Sequence, residues 1–230
     1  SNYFSRVSWT FLMSGIVGLS LVLLGTIAIA SVVSLFELAP LIDEEKYYGT
    51  WVVLSLALIA PHFGLKEFPQ LQEIEKKDFE INRFFSFLIR YIATPAVYIY
   101  FIILYAYSIK VLLNFSDWPR GIVSWLVIGF SSFGYLTYIF SKPYEENKIV
   151  HSFRKYFPLA VIPQLFMLFY AIGLRIGQYD LTMNRYFVVA FGLWLLVTSL
   201  YFLLRRSPLL AFVPASLALI SFVISLGPWG

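Results

Sequence analysis

Polar side chains are scarce in this 230-residue chain, and most of those able to do chemistry stand alone. The exception is the run Arg175-Ile-Gly-Gln-Tyr-Asp-Leu-Thr-Met-Asn-Arg185-Tyr186. Its twelve residues hold two arginines, an aspartate, a glutamine, an asparagine, a threonine and two tyrosines. Two guanidinium groups beside a carboxylate, at the start of a helix, suit an anion or a lipid headgroup. Arginine forks onto phosphate or carboxylate oxygens, and a helix start offers free N–H groups. Arg175, Tyr179, Asp180, Thr182, Asn184, Arg185 and Tyr186 are therefore the candidate binding residues. The same residues also suit a structural turn, in which both arginines reach the membrane interface and pair with Asp180. Arg90 is the remaining candidate. It lies about six residues, or roughly 9 Å, inside an apolar run. At that depth an arginine either snorkels back to the interface or marks a buried partner or an ion path.

Catalytic patterns are mostly missing. The chain has no phosphate-cradling GxxxxGK[ST] or GxGxxG, no HExxH and no GxSxG. Its only histidines, His62 and His151, are too far apart in sequence to be paired at ligand spacing, and zinc hydrolysis wants about three protein ligands around one metal. Without cysteine there are no disulfides, thiol nucleophiles or iron–sulfur ligands. Glu44-Glu45 has the paired glutamates of some intramembrane proteases, but the chain continues Tyr47-Tyr48-Gly49 in place of their further polar residues. Tyr179-Asp180 has no second aspartate within an apolar run, so a proton-sharing dyad cannot form. No catalytic residue, metal ligand or cofactor is expected.

The elements that hold these residues follow from composition. Of the chain, 60% is hydrophobic, 20% aromatic and only 13% charged. Soluble domains carry about a quarter charged residues, so this is a membrane protein, and a nucleic-acid module is excluded. Backbone in lipid must satisfy its own hydrogen bonds, and about 20 apolar residues cross a bilayer as helix. Seven runs qualify, over about 8–36, 49–65, 84–109, 121–141, 156–174, 186–204 and 209–226. The fold class is therefore an all-α polytopic bundle of about seven transmembrane helices, in a single transmembrane domain over 1–230. Prolines inside these runs (Pro61, Pro95, Pro158, Pro163 and Pro214) are expected to kink the helices. Ser14 with Gly18, and Thr26 with Ala30, offer close approach to a neighbour. Between the second and third runs, Leu71, Ile74, Ile81 and Phe85 share a helical face, with Glu73–Lys77 and Glu80–Arg83 at ion-pair spacing. That pattern predicts an amphipathic interfacial segment over about 68–83, or else a solvated helix.

The run from Arg175 to Tyr186 carries a resemblance, together with Tyr105-Ala-Tyr107 before Lys110, Pro119-Arg-Gly121 and the closing Gly-Pro-Trp. The chain is similar to the bacterial domain-of-unknown-function 4153 membrane family, whose pattern is Arg-Ile-x-x-Tyr-Gly-x-Thr-x-x-Arg-Tyr. Arg175, Ile176, Tyr179, Thr182, Arg185 and Tyr186 match it, while Asp180 stands where the family usually has glycine. The resemblance covers 84 onward well and the first two runs poorly. It implies a helical domain of the bacterial inner membrane, without an established activity. It also implies a piece of a longer protein, with extra spans before this region and an extramembrane domain after it.

The expected function is a non-enzymatic sensing, scaffolding or assembly role. The expected partners are membrane lipids and another membrane protein or a C-terminal extramembrane domain. The alternative is a transporter or channel for an anionic or lipid-like solute. Lys and Arg set the orientation. Eleven fall on the side of the N-terminus and five on the other, leaving out Arg90. That asymmetry puts the N-terminus in the cytoplasm and, after seven spans, the C-terminus outside. A reporter active only after export, fused at the C-terminus, should be active. A cytoplasmic signal would overturn the orientation or the odd number of spans.

Overall fold

The computed structural model describes residues 2–66, 81–113, 122–179, 182–205 and 208–226, and among them every regular element is a helix. The segment expected over 68–83 lies outside these residues apart from its last three positions. The helices are α1 (Asn2–Phe36), α2 (Glu44–Val53), α3 (Ala60–Lys66), α4 (Ile81–Phe87) and α5 (Thr94–Leu113). They continue with α6 (Ile122–Phe140), α7 (Lys148–Tyr179), α8 (Met183–Leu204) and α9 (Phe212–Leu226). Among the described residues six stretches are long and apolar enough to cross a membrane: Val7–Phe36, Glu44–Lys66, Phe84–Leu113, Val123–Phe140, Lys148–Gly177 and Met183–Leu204. The protein is thus an all-α polytopic membrane bundle. The last expected span is α9, whose 15 residues make it shorter than the other six.

Two prolines do more than kink their helices. A π-helical stretch, Leu54–Ile59, runs from α2 into α3 just ahead of Pro61, and a second, Leu88–Ala93, joins α4 to α5 just ahead of Pro95. In each, the residue before the proline donates its N–H five residues back, Ala60 to Ser55 and Thr94 to Ile89. A proline ring collides with the carbonyl four residues before it. The extra residue of a π turn widens the helix there and relieves the collision. Pro158 and Pro163, by contrast, stay inside the α-helical run of α7.

Backbone contacts divide the chain into two compact units, residues 1–96 and 97–230. In the first, α1 packs on α2, α3 and both π stretches. Met13, Val17, Phe63 and Ile92 form its buried centre, with Trp9, Phe84 and Phe87 against them. Ser14 and Gly18 work as their spacing predicts. The Ser14 hydroxyl donates to the Ala60 carbonyl, and a methyl added at Gly18 would lie 2.8 Å from Cβ of Ala60. Further along the same side of α1, the Trp51 indole donates to the Leu21 carbonyl at 2.9 Å, and a methyl at Gly25 would lie 1.9 Å from its Nε1. Beyond α1, Glu37 takes the left-handed conformation (φ 58°) while Leu38 N donates to Val33 O. That pattern closes a helix C-terminus, usually with glycine in place of glutamate.

The second unit packs α7 most extensively on α8, with α6 against both and α9 on α8. Its interior is aromatic. The rings of Tyr135, Tyr138, Phe153, Phe157 and Phe202 meet mostly edge to face or tilted, and Tyr100 stacks on Phe130 at 4.3 Å. Hydroxyls tie the helices: Tyr135 to Ser199 (2.7 Å), Tyr105 to the Ala160 carbonyl (2.8 Å) and Ser108 to Gln164 (3.2 Å). The Trp194 indole holds Ser216 of α9 at 2.9 Å. Asn147 caps α7 by accepting from Ile149 N and Val150 N.

Gly25→Ala should displace the Trp51 indole and destabilise the first unit by about 2 kcal/mol, as overpacking does. Thermal unfolding followed by tryptophan fluorescence in detergent measures it. Gly49→Ala, inside α2 where an added methyl meets nothing within 4 Å, should not lower the transition and should raise it slightly through helix propensity.

Candidate functional site

The α7–α8 hairpin brings the two ends of the Arg175–Tyr186 run to one end of the second unit. Arg175 is half-buried in the last turns of α7, and Tyr179 is the final residue of that helix. The Tyr179 side chain and Asp180 lie outside the described residues. Thr182 is exposed, in extended conformation (φ −94°, ψ 159°), at the N-cap position of α8. Its side chain makes no capping hydrogen bond, and its carbonyl accepts from Tyr186 N at 3.0 Å. That carbonyl makes the first ordinary bond of α8 and does not replace a side-chain cap. Asn184 is exposed, Arg185 and Tyr186 are half-buried, and the Tyr186 ring meets Phe187 edge-on at 5.8 Å. α7 runs two residues past Gly177.

Arg90 belongs elsewhere. It lies half-buried in the π stretch Leu88–Ala93 of the first unit, whereas Arg175–Tyr186 is in the second. Ser55 and Thr94, in or next to the two π stretches, are fully buried, and their hydroxyl oxygens have no hydrogen-bond partner among the described residues. Glu44 and Glu45 fill the first turn of α2 behind the cap Asp43, which accepts from Lys46 N at 3.4 Å. Acids are favoured there by the helix dipole, which accounts for that pair without catalysis. Among the described residues no three His, Asp or Glu gather as metal ligands.

The most developed polar arrangement among the described residues is built on one of the eleven basic residues assigned to the side of the N-terminus. Arg154 of α7 is 8% exposed. Its guanidinium donates to the Tyr138 carbonyl and to Ser141 Oγ (3.3 Å), lies 4.1 Å over the Tyr138 ring and stands 3.7 Å from Glu145 Oε2. Ser141 Oγ in turn donates to Tyr138 O at 2.9 Å. Arg154 thus caps the C-terminus of α6 from the next helix, where a cation meets the negative end of the dipole. Lys142 Nζ holds Glu145 Oε2 from the other side at 2.5 Å. That hydrogen bond, together with the Arg154 charge, lowers the Glu145 pKa below its ordinary 4.5. One sequence signal could have found Arg154: it falls on the apolar face of α7, four residues after Val150, three before Phe157 and seven before Val161, all buried.

Arg154→Ala should remove the cap and its charged hydrogen bonds, destabilising the second unit by about 3 kcal/mol. Arg154→Lys should restore only part, because an ammonium lacks the planar fork. Glu145 has a side chain 37% exposed, so Glu145→Gln should lose less than about 1 kcal/mol after solvent screening. Because folding lowers the Glu145 pKa, its contribution is complete above the ordinary 4.5 and fades as pH falls through the lower folded value. Thermal unfolding in detergent from pH 7 down to 3 measures both effects, and Glu145→Gln should flatten the acid limb.

A family model described as Domain of unknown function (DUF4153) matches residues 1–230, so the match extends over the first two spans as well. No curated protein and no solved structure matches the chain.

Proposed function

The chain belongs to the DUF4153 family, and from that premise we propose that it is a non-enzymatic domain with a sensing, scaffolding or assembly role. It acts in the bacterial inner membrane, with its N-terminus in the cytoplasm and its C-terminus outside. The observation that carries this reading is the filled interior of the second unit. Tyr135 is buried against the rings of Phe157 and Phe202, Phe153 against those of Tyr138 and Phe157, and polar groups such as Tyr135 and Ser199 are taken up in bonds between helices. Packing of that kind makes a rigid body that presents its surface to partners, as lipid-embedded bundles held by interhelical hydrogen bonds do. The partner is another membrane protein or an extramembrane domain joined at the C-terminus. Arg175 and Arg185, at the outer end of the α7–α8 pair, supply the contact.

A transport role for an anionic or lipid-like solute has one observation in its favour. Arg90, Ser55 and Thr94 bring a charge and two buried hydroxyls to the π stretches of the first unit. Irregular helix at membrane depth is a frequent setting for function.

Two measurements separate the readings. Proteoliposomes holding the chain should pass chloride and phosphate no faster than empty vesicles, and flux that Arg90→Ala abolishes would install the transport reading instead. Photo-crosslinkers placed at Asn184 in cells should capture one recurring neighbour, lost in Arg175→Ala/Arg185→Ala. Unchanged crosslinking in that double variant overturns the role of the turn.

A further inference from the structure

One face of α7 is left uncovered along most of its length. Lys148, His151, Lys155, Leu159, Phe166 and Tyr170 are all exposed. At 3.6 residues per turn they fall within a sector of about 100°. The buried Val150, Phe153, Phe157 and Val161 occupy the opposite side with Arg154 at its edge, so the clamp on α6 helps fix which face of α7 turns outward. The stripe changes character once. Its first three members are basic or imidazole side chains, and from Leu159 onward it is apolar or aromatic.

We propose that this stripe binds an anionic phospholipid, with its phosphate on Lys148, His151 and Lys155 and an acyl chain along Leu159 and Phe166. Dimension and charge carry the assignment. From Lys155 to Phe166 the helix rises about 16 Å, half of the roughly 30 Å apolar core and so the depth of one leaflet. Lys155 lies 5.3 Å from the Tyr156 ring and Arg205 lies 5.7 Å from the Tyr201 ring. Tyrosines of this kind mark headgroup level. Around this end, from Lys142 to Lys155 and at Arg205, stand five Lys and Arg against Glu145 and Glu146. Glu145 is engaged by Lys142 and Arg154 and so draws little on Lys148 and Lys155. The cytoplasmic leaflet carries the anionic lipids that attract such clusters. Placing the site in that leaflet rests on the orientation proposed above; the binding does not.

The test is native mass spectrometry of the full chain released from nanodiscs of phosphatidylglycerol and phosphatidylcholine in equal parts. Each basic residue near an anionic headgroup is worth about fivefold, so two lysines give a preference of roughly thirtyfold for phosphatidylglycerol. Lys148→Gln/Lys155→Gln should bring the two lipids to near parity, while Lys46→Gln, in α2, should change nothing. If the double variant does not fold, Lys155→Gln alone should lose about fivefold. Equal retention of both lipids by the native chain overturns the site, as does a preference that survives in the variants or falls equally with Lys46→Gln. Copies of the chain paired in place of bound lipid overturn it too. A C-terminal reporter active only in the cytoplasm, alongside an intact lipid preference, overturns the orientation alone.

Discussion

A helix that ends near lipid leaves its last carbonyls without amide partners, and lipid supplies no substitute. At the end of α6 that need is met by the guanidinium of Arg154, which is carried on α7 and bonded to the Tyr138 carbonyl and Ser141. Much of the second unit follows from this one interaction. It holds the turn between α6 and α7, where Glu145 and Lys142 complete the charge balance. It helps set the rotation of α7, so that Phe153 and Phe157 enter the aromatic interior while Lys148 and Lys155 face outward. A buried cation is tolerated there because its charge meets a helix end, an aromatic face and a carboxylate together.

The first unit solves a different problem. Lipid is as apolar as a leucine side chain, so helices gain little by hiding apolar surface from it and must gain from close contact and hydrogen bonds. Ser14, Gly18, Leu21 and Gly25 line one side of α1, giving a hydroxyl donor, two close approaches and a carbonyl acceptor for Trp51. The π stretches at Pro61 and Pro95 belong to the same economy. They keep each proline inside a continuous run by widening the helix ahead of it. The result, among the described residues, is a membrane core with two π-helical segments, one of which holds Arg90.

Much of the fold was legible in order along the chain, because apolar length is a local property. The six long apolar helices follow it, and α9 is the short one. Ser14 and Gly18 were readable because spacing alone places them on one side of a helix. Gly25 and Trp51 were not, since only folding brings position 51 against position 25. The π stretches were invisible for a related reason: a proline announces a disturbed helix but not whether it bends or widens. Among the site residues, Arg175–Tyr186 stood out by concentration of polarity, whereas Arg154 lay in an apparently ordinary basic turn. Its meaning depends on Tyr138 and Ser141, more than a dozen residues back on another helix.

Composition by itself determined that this is a helical membrane protein, because a chain with so few charges cannot cover itself in water and a backbone in lipid must bond internally. Local pattern determined where the long helices run and which polar residues are unusual. Tertiary structure alone decided which charges are spent and which remain available. Arg154 was turned inward to cap α6, and Lys148 and Lys155 were left facing outward on the same helix. The physical reason is that side chains a few residues apart on one helix point in different directions. Only the neighbouring helices settle which direction is interior.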